Sequence, residues 1–586
     1  MLAEVGGRAG LRSARAARPP WRRRLAWAVA LAVALAALFL LSLSQSRSSA
    51  LSSDGASNIL QAQAMLHGNP LLRGWWTSDV SFYTTELPEY ALVVAARGVS
   101  PDVVHICGAL TYTLTVALAG LLARGRATGP AGLRRAGIAV AIMLAPSVLG
   151  GTEVFLENPD HFGTSVPILL VLLLLDWGEG RDDAHGRRWY VPVAVCALLA
   201  WSQVGDQLSL VAATVPIGAV GAFRLAATLI RRRPRAELRW DALLVAAALV
   251  SVAVARIAER ALRAIGGFDQ RPIPSTRLAS LGQVPGNARL LSQSILLLFG
   301  ANQPGQPSQP LTISRHVPLL LSADLHVIGL VVAGAGLIAG IAAGFFGRPA
   351  RPGGPGWDRV VQILVAAFGV TIAAGLFTTV MQSLSSAHEV AILLPLGAVL
   401  AGRTLPSSAR RLVRPLVPRL AAARAPSVRM ATVTTAATVA LAGWLAVGVS
   451  EAAYGAAWPA SPLPVQSVAA WLVAHHQRDG LAAYWQGTET TVASGGRVLV
   501  APVTVGGTAA KHWEASSAWY QPSRYRATFV IAGLGPISTE NALSVATARA
   551  RFGRPAAEYH VGINIVMIYR YNLLTRLSGR TFPGPS

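Results

Sequence analysis

Lysine and cysteine are almost missing from this chain. Lys511 is the only lysine, and Cys107 and Cys196 are the only cysteines. Both cysteines fall within or beside apolar segments, which excludes a disulfide framework and a cysteine metal site. Charge is scarce as well: 13% of the 586 residues are charged, where an ordinary soluble domain carries about a quarter. No Walker loop, dinucleotide fingerprint or metalloprotease motif is present, so neither nucleotide hydrolysis nor zinc proteolysis is supported. What the chain has is apolar surface, with 53% hydrophobic residues and a mean hydropathy of +0.46. It reads as a polytopic membrane protein. The formal net charge of +24 does not point to nucleic acid, because many of the arginines cluster in short runs between apolar segments, where they set topology.

A spanning helix needs roughly 20 apolar residues. The candidates are 25–44, 106–123, 136–151, 165–177, 189–201, 208–230, 242–258, 325–346, 360–380, 390–401 and 431–449. About eleven spans are therefore expected, those beginning at 165, 189 and 390 being short enough to be re-entrant. The arginine runs at Arg8–Arg24, Arg124–Arg135, Arg231–Arg239, Arg348–Arg359 and Arg403–Arg429 then all fall on one side, which the positive-inside rule makes the cytoplasm. The domain plan is a basic cytoplasmic N-terminus (1–24), a transmembrane region (25–449) with outside loops 45–105, 151–164 and 259–322, and an extracytoplasmic domain (450–586). The first apolar run reads as an uncleaved anchor rather than a signal peptide.

In the region after residue 449, apolar periodicity predicts a helix over 465–476 and short strands at 490–492, 497–503, 527–531 and 563–569, separated by glycine-rich turns. This is a small mixed α/β module. Residues 290–299, within the third outside loop, are expected to lie as an interfacial helix.

Chemistry is concentrated in two acidic outside loops. The first opens Ser53-Asp54-Gly55 and continues as an amphipathic stretch with Ile59, Leu60, Ala64, Met65 and Leu66 on one face. Ser52, Ser53 and Asp54 are good capping residues for that helix, and capping alone explains such an acid. A carboxylate beside a helix N-terminus at the bilayer surface is equally placed to act as general base or to hold a metal near a phosphate. Downstream, Arg73 offers a planar fork for phosphate, and Trp75 and Trp76 suit an aromatic belt or a sugar-stacking surface. The second loop packs Glu153, Glu157, Asp160 and His161 into one turn between spans. A carboxylate there and Asp54 are able to share a divalent ion through oxygen ligands, so Asp54 and Asp160 are the candidate metal residues and Mg or Mn the candidate cofactor. His388 and Glu389, at the outer end of the tenth span, are further candidates for binding substrate, and Asp206 stands in a tight turn after Trp201.

These features resemble the GT-C superfamily of integral membrane glycosyltransferases, of the protein O-mannosyltransferase and aminoarabinose transferase types. They are similar in particular to an actinobacterial set with a first-loop Ser-Asp-Gly. The residues carrying the resemblance are Ser53-Asp54-Gly55, Gly68-Asn69-Pro70-Leu71-Leu72, Gly74-Trp75, Glu157-Asn158-Pro159-Asp160-His161 and a tail with Tyr484-Trp485, Ser494-Gly495-Gly496, Trp519-Tyr520 and Tyr571-Asn572-Leu573-Leu574. The resemblance implies a mostly α polytopic bundle in the plasma membrane. It implies a sugar donor on a polyprenyl phosphate, transfer on the outer face to an envelope glycan, lipid or protein, and Asp54 as base or metal partner. The well-studied branches have paired acids where this chain has Asp54-Gly55, so Glu157 or Asp160 is expected to supply the second carboxylate. Two rival readings stand beside this one: a transporter or flippase, and a non-enzymatic envelope protein whose tail binds glycan or protein through its tryptophans.

Overall fold

The computed structural model describes residues 20–148, 150–157, 159–178, 190–230, 235–270, 277–302, 317–346, 358–419, 426–461, 463, 465–504, 506–533 and 543–581. The N-terminal arginines before Arg22 lie outside the described residues, as do Arg231–Arg233, Arg271, Arg315, Arg348, Arg351, Arg424 and Asn158.

Among the described residues, seven helices are long and apolar enough to cross a bilayer. They are Arg24–Ser46, Asp102–Arg124, Leu210–Ile230, Leu238–Ala264, Asp324–Phe346, Arg359–Phe377 and Thr435–Ala456. An eighth candidate is the pair Leu384–Val390 and Leu393–Pro406, bent by 50°. The chain is a multi-pass membrane protein. Phe162–Gly178 and Tyr190–Gly205 are shorter apolar helices, at the places of two expected short spans. The segment expected to span 136–151 does not run that far. Its helix, Gly129–Met143, stops before Pro146, which has no N–H to continue the ladder, and Gly150 turns the chain at φ 116° into the short helix Gly151–Phe155.

Helices in a bilayer gain nothing by hiding apolar surface from lipid, so close packing through small residues matters more. A Cβ on Gly336 would come within 2.5 Å of Ala401 Cα, and one on Gly108 within 2.5 Å of the Leu156 carbonyl oxygen. The second contact seats the 151–164 loop against the outer part of Asp102–Arg124. That helix of 23 residues is about 34 Å long at 1.5 Å per residue. At its Arg124 end, Arg403 donates to Asp176 (2.7 Å), Asp358 (3.0 Å) and the Leu122 carbonyl (2.8 Å). At its Asp102 end, Arg47 meets Asp102 at 2.7 Å. The buried arginine cluster and the acidic loops therefore occupy opposite ends of the bundle.

The first loop forms the helix Ser53–Leu66, and its cap is Ser52, whose side chain accepts from Gly55 N. Capping thus does not occupy the Asp54 carboxylate. The expected interfacial helix is longer, Val284–Leu298, and it packs into the bundle: Leu291, Leu297 and Leu298 are buried, and Asn287 donates to the Leu376 and Thr378 carbonyls at 3.0 and 2.9 Å.

After the last long helix, a five-stranded sheet runs in the order Leu499–Val503, Asp479–Ala483, Phe529–Gly533, Asn564–Ile568, Ala557–Val561. The first three strands are parallel and the last two pairings antiparallel. The strand expected at 490–492 is instead part of the helix Tyr484–Ala493, the crossover that two adjacent parallel strands require. A second sheet joins distant segments: Trp75–Thr77 pairs in parallel with Asp269–Gln270 and antiparallel with Ala515–Ser516. The tail is thereby fastened to the first loop.

Candidate active site

Four chain segments meet over the acidic end of the bundle and enclose a cavity of about 550 Å3. The helix Ser53–Leu66 brings Asp54, and the following loop brings Ser78, Asp79 and Phe82. The second loop brings Glu153, Glu157, Asp160 and His161; the turn Leu384–Val390 brings His388 and Glu389; the tail adds Trp485, Trp513 and Glu514. Asp54 and Asp160, far apart in sequence, thus face one space. Seven carboxyl side chains and two histidines line it, with no arginine or lysine among the described residues.

The segments are tied by side-chain bonds. Asn58, one turn after Asp54, donates to Asp160 Oδ1 at 3.1 Å. Ser53 Oγ lies 2.9 Å from Glu489 Oε1 and 3.0 Å from the Trp485 carbonyl oxygen, within hydrogen-bond reach of both. Tyr484 donates to Asp54 Oδ1 at 2.7 Å and also contacts Glu514 Oε2. The second loop turns sharply at His161, whose backbone is left-handed at φ 58°, a conformation that costs a non-glycine residue about 1–3 kcal/mol. At Gly163, which follows, a Cβ would come within 2.5 Å of Glu86 Oε1.

His161 is held from several directions. Its Nδ1 is 3.1 Å from Asp206 Oδ2, which also accepts from Thr164 at 2.7 Å. Its ring stacks on His388 at 5.1 Å and meets the edge of Phe82 at 5.5 Å. Burial works against its positive charge, but the carboxylates of Glu389 and Asp206 outweigh burial and raise its pKa well above the ordinary value. The acids are raised too. Burial, reinforced by neighbouring carboxylates, pushes Glu157 up to about 8. Burial raises Glu489 to about 8 and, with the Asp54 charge, raises Asp160. Burial also raises Asp54, while the Tyr484 and Glu514 hydrogen bonds act the other way. A crowded set of carboxyls in a space shielded from water holds some of its protons to neutral pH and above.

His161, His388 and Glu389 place one ligand atom each within 4.8 Å of one another. Nε2 of both imidazoles lies 3.7 Å from the same Glu389 oxygen, too far for a hydrogen bond and close to the separation of neighbouring ligands around a bound cation. Asp206 on the far nitrogen of His161 is the outer partner that metal-binding histidines use. Two nitrogens and one oxygen suit a borderline ion such as Zn, and Mn as well.

The other expected binding residues stand elsewhere. Arg73 is exposed and lines none of the described cavities; its backbone is clasped by Asn69 at 2.7 and 3.0 Å. Trp75 and Trp76 are buried, Trp75 edge-on to Trp519 at 5.0 Å and Trp76 stacked on His512 at 4.1 Å. Their faces are taken up by packing between loop and tail, so neither offers a stacking surface to a sugar; Trp485 and Trp513 are the tryptophans at the cavity. Reading the sequence alone missed Glu514 and Asp79 as cavity groups and Tyr484 as the hydroxyl that joins Asp54 to Glu514.

No protein-family model and no curated protein matches the sequence. Solved structures do match. ArnT from Cupriavidus metallidurans bound to undecaprenyl phosphate aligns with a TM-score of 0.52 and 12% identity over 95% of this chain and 99% of that one. The same protein in the apo state gives 0.47 and 14% over 96% and 100%. The Archaeoglobus fulgidus oligosaccharyltransferase in the apo form gives 0.46 and 13% over 85% and 69%. With the bundle, the acidic loops and the docked tail already described, the chain has the fold of ArnT from Cupriavidus metallidurans.

Proposed function

We propose that this protein is a membrane glycosyltransferase that moves a sugar from a polyprenyl-phosphate carrier to an acceptor hydroxyl of the cell envelope. The observation that carries the reading is the convergence of Asp54, Glu157 and Asp160 from two separate loops in one cavity at the loop end of the bundle. It is strengthened by the shared fold with ArnT, which was crystallised with undecaprenyl phosphate. Arginines at the opposite end of the bundle support a cytoplasmic N-terminus and an extracytoplasmic cavity and tail.

In this reading Asp54, kept ionised by the Tyr484 hydroxyl, removes the proton of the acceptor hydroxyl. The acceptor oxygen bonds to the anomeric carbon, whose bond to the carrier oxygen breaks, and the phosphate leaves with that electron pair. Asp160, fixed by Asn58, supplies the second carboxyl. His161, His388 and Glu389 are the residues that would hold a divalent cation. Such an ion supplies positive charge for a phosphate in a cavity lined by seven carboxyls. Trp485 and Trp513 offer rings to a sugar or to an isoprenoid.

The test is transfer from polyprenyl-phosphate sugars in membranes holding wild type or Asp54→Asn at equal levels. Loss of a base lowers the rate by about 100-fold or more. Equal rates would remove Asp54 from the mechanism, and wild-type membranes inert with every such donor would remove the function itself.

A further inference from the structure

We propose that Tyr484 and Glu514, contributed by the tail, are positioning residues for Asp54: the Tyr484 hydroxyl donates to Asp54 and accepts a hydrogen bond from the protonated Glu514 carboxyl, leaving the charge on Asp54. The proposal rests on the reading of Asp54 as base.

A phenol carries one proton. Tyr484 Oη lies 2.7 Å from Asp54 Oδ1 and in hydrogen-bond contact with Glu514 Oε2. Two ionised carboxylates would both be acceptors, and one hydroxyl cannot serve both. The second hydrogen bond therefore needs a second proton, which must reside on a carboxyl group. Tyr484 is 7% and Glu514 2% exposed, so water does not resolve the conflict.

The surroundings decide which acid keeps it. Facing Asp54 are Tyr484 and Glu514 from the tail, His161 and Asp160 from the second loop and Asp79 from the first, with Glu157 and Glu489 within its field. Glu514 is pushed well above the ordinary carboxyl range by burial and then by the charges of Asp54 and Asp160. The backbone holds Glu514 in this place from both sides. Its carbonyl accepts from Ser57 Oγ at 2.8 Å, on the same helix as Asp54, and the next residue begins the strand that pairs with Trp75–Thr77. Glu514 itself sits at φ 44°, a strained conformation that only a well-determined surrounding maintains.

The experiment compares pH profiles of kcat for sugar transfer by purified wild type, Tyr484→Phe and Glu514→Gln at equal folded-protein levels. Without the phenol proton Asp54 ionises less readily. The acid limb of Tyr484→Phe is then expected to move up by about one to two pH units, with kcat near neutral pH down about 10- to 100-fold. The amide of Glu514→Gln is uncharged and still donates to the phenol oxygen, so its acid limb is expected to stay within about half a unit of wild type. A purely structural role would change the height of the profile and leave the limb in place. An unmoved limb in Tyr484→Phe overturns the proposal, as does a Glu514→Gln limb displaced as far as that of Tyr484→Phe. Should Glu514→Gln not accumulate, Tyr484→Phe decides alone. Wild type inert with all polyprenyl-phosphate sugars, or Asp54→Asn fully active, would instead sink the underlying functional reading.

Discussion

Asn58 Nδ2 reaches Asp160 Oδ1 across 3.1 Å and joins the first outside loop to the second. Asn58 is fully buried on the helix that carries Asp54, one turn along, so a single helix orients both carboxyl groups. Replacing it by Leu removes the donor while roughly keeping volume. Leaving a buried acceptor without its partner costs about 1–3 kcal/mol, so transfer should fall at least about fivefold. Asn58→Asp, which adds a further carboxyl beside Asp160, should fall further. Membrane transfer assays normalised to protein level check this; Asn58→Leu at wild-type rate would dissociate the contact from the reaction.

Acid and base stability follow from the raised carboxyls. Glu157 and Glu489 titrate near 8 in the folded protein, against about 4.3 for an ordinary Glu. Their folded-state pKa exceeds the unfolded one, so the stability they contribute is complete below about pH 4 and is lost as pH rises through 8. Melting temperature in detergent should therefore decline between about pH 5 and pH 8. Glu157→Gln and Glu489→Gln should each flatten the decline. A melting temperature that rises over this interval contradicts the assignment.

Metal content separates two places for a cation. If His161, His388 and Glu389 hold it, His388→Ala loses the ion and Asp54→Asn keeps it, as read by elemental analysis of purified protein. Affinity should drop at least about tenfold on loss of a ligand. Chelation should then slow wild type, with recovery on adding back Zn or Mn. Loss of the ion in Asp54→Asn alone would return the site to Asp54 and Asp160.

Trp76 is 2% exposed and stacks on His512 at 4.1 Å. Trp76→Ala should cost about 3–5 kcal/mol of packing and loosen the tail from the first loop. Proteolysis of membranes should cut the variant tail markedly faster than the wild-type tail. An unchanged rate would mean that the three-stranded sheet alone holds the joint.

The parts of this architecture visible in the sequence are those written locally. Apolar runs announced the helices, and the crowding of Glu157, Asp160 and His161 in one turn announced an acidic loop. Asp54 was conspicuous because it stands just past the first apolar run and an aromatic, polar stretch follows it. Glu514 and Tyr484 were not conspicuous as partners of Asp54, because nothing near them in sequence marks an active group. Glu514 gains its place when Ala515–Ser516 pairs with Trp75–Thr77, and Tyr484 when its helix packs against Ser53. Trp75 and Trp76 were misleading for the same reason, since rings buried by a remote partner resemble rings awaiting a ligand. Thr490, Thr491 and Val492 read as a strand from their β-branched side chains. The adjoining parallel strands required a helix there, and tertiary context prevailed over local preference.

The strand Trp75–Thr77 is flanked by Asp269–Gln270 on one side and Ala515–Ser516 on the other. A ribosome completes the first of these segments long before the last. The nascent chain can insert its helices and expose Asp54 well before Glu514 has been synthesised, so the pocket is complete only once Ala515–Ser516 has been made and paired. A chain interrupted before that strand would hold its helices in the bilayer with Asp54 still open to water on the side that the tail covers.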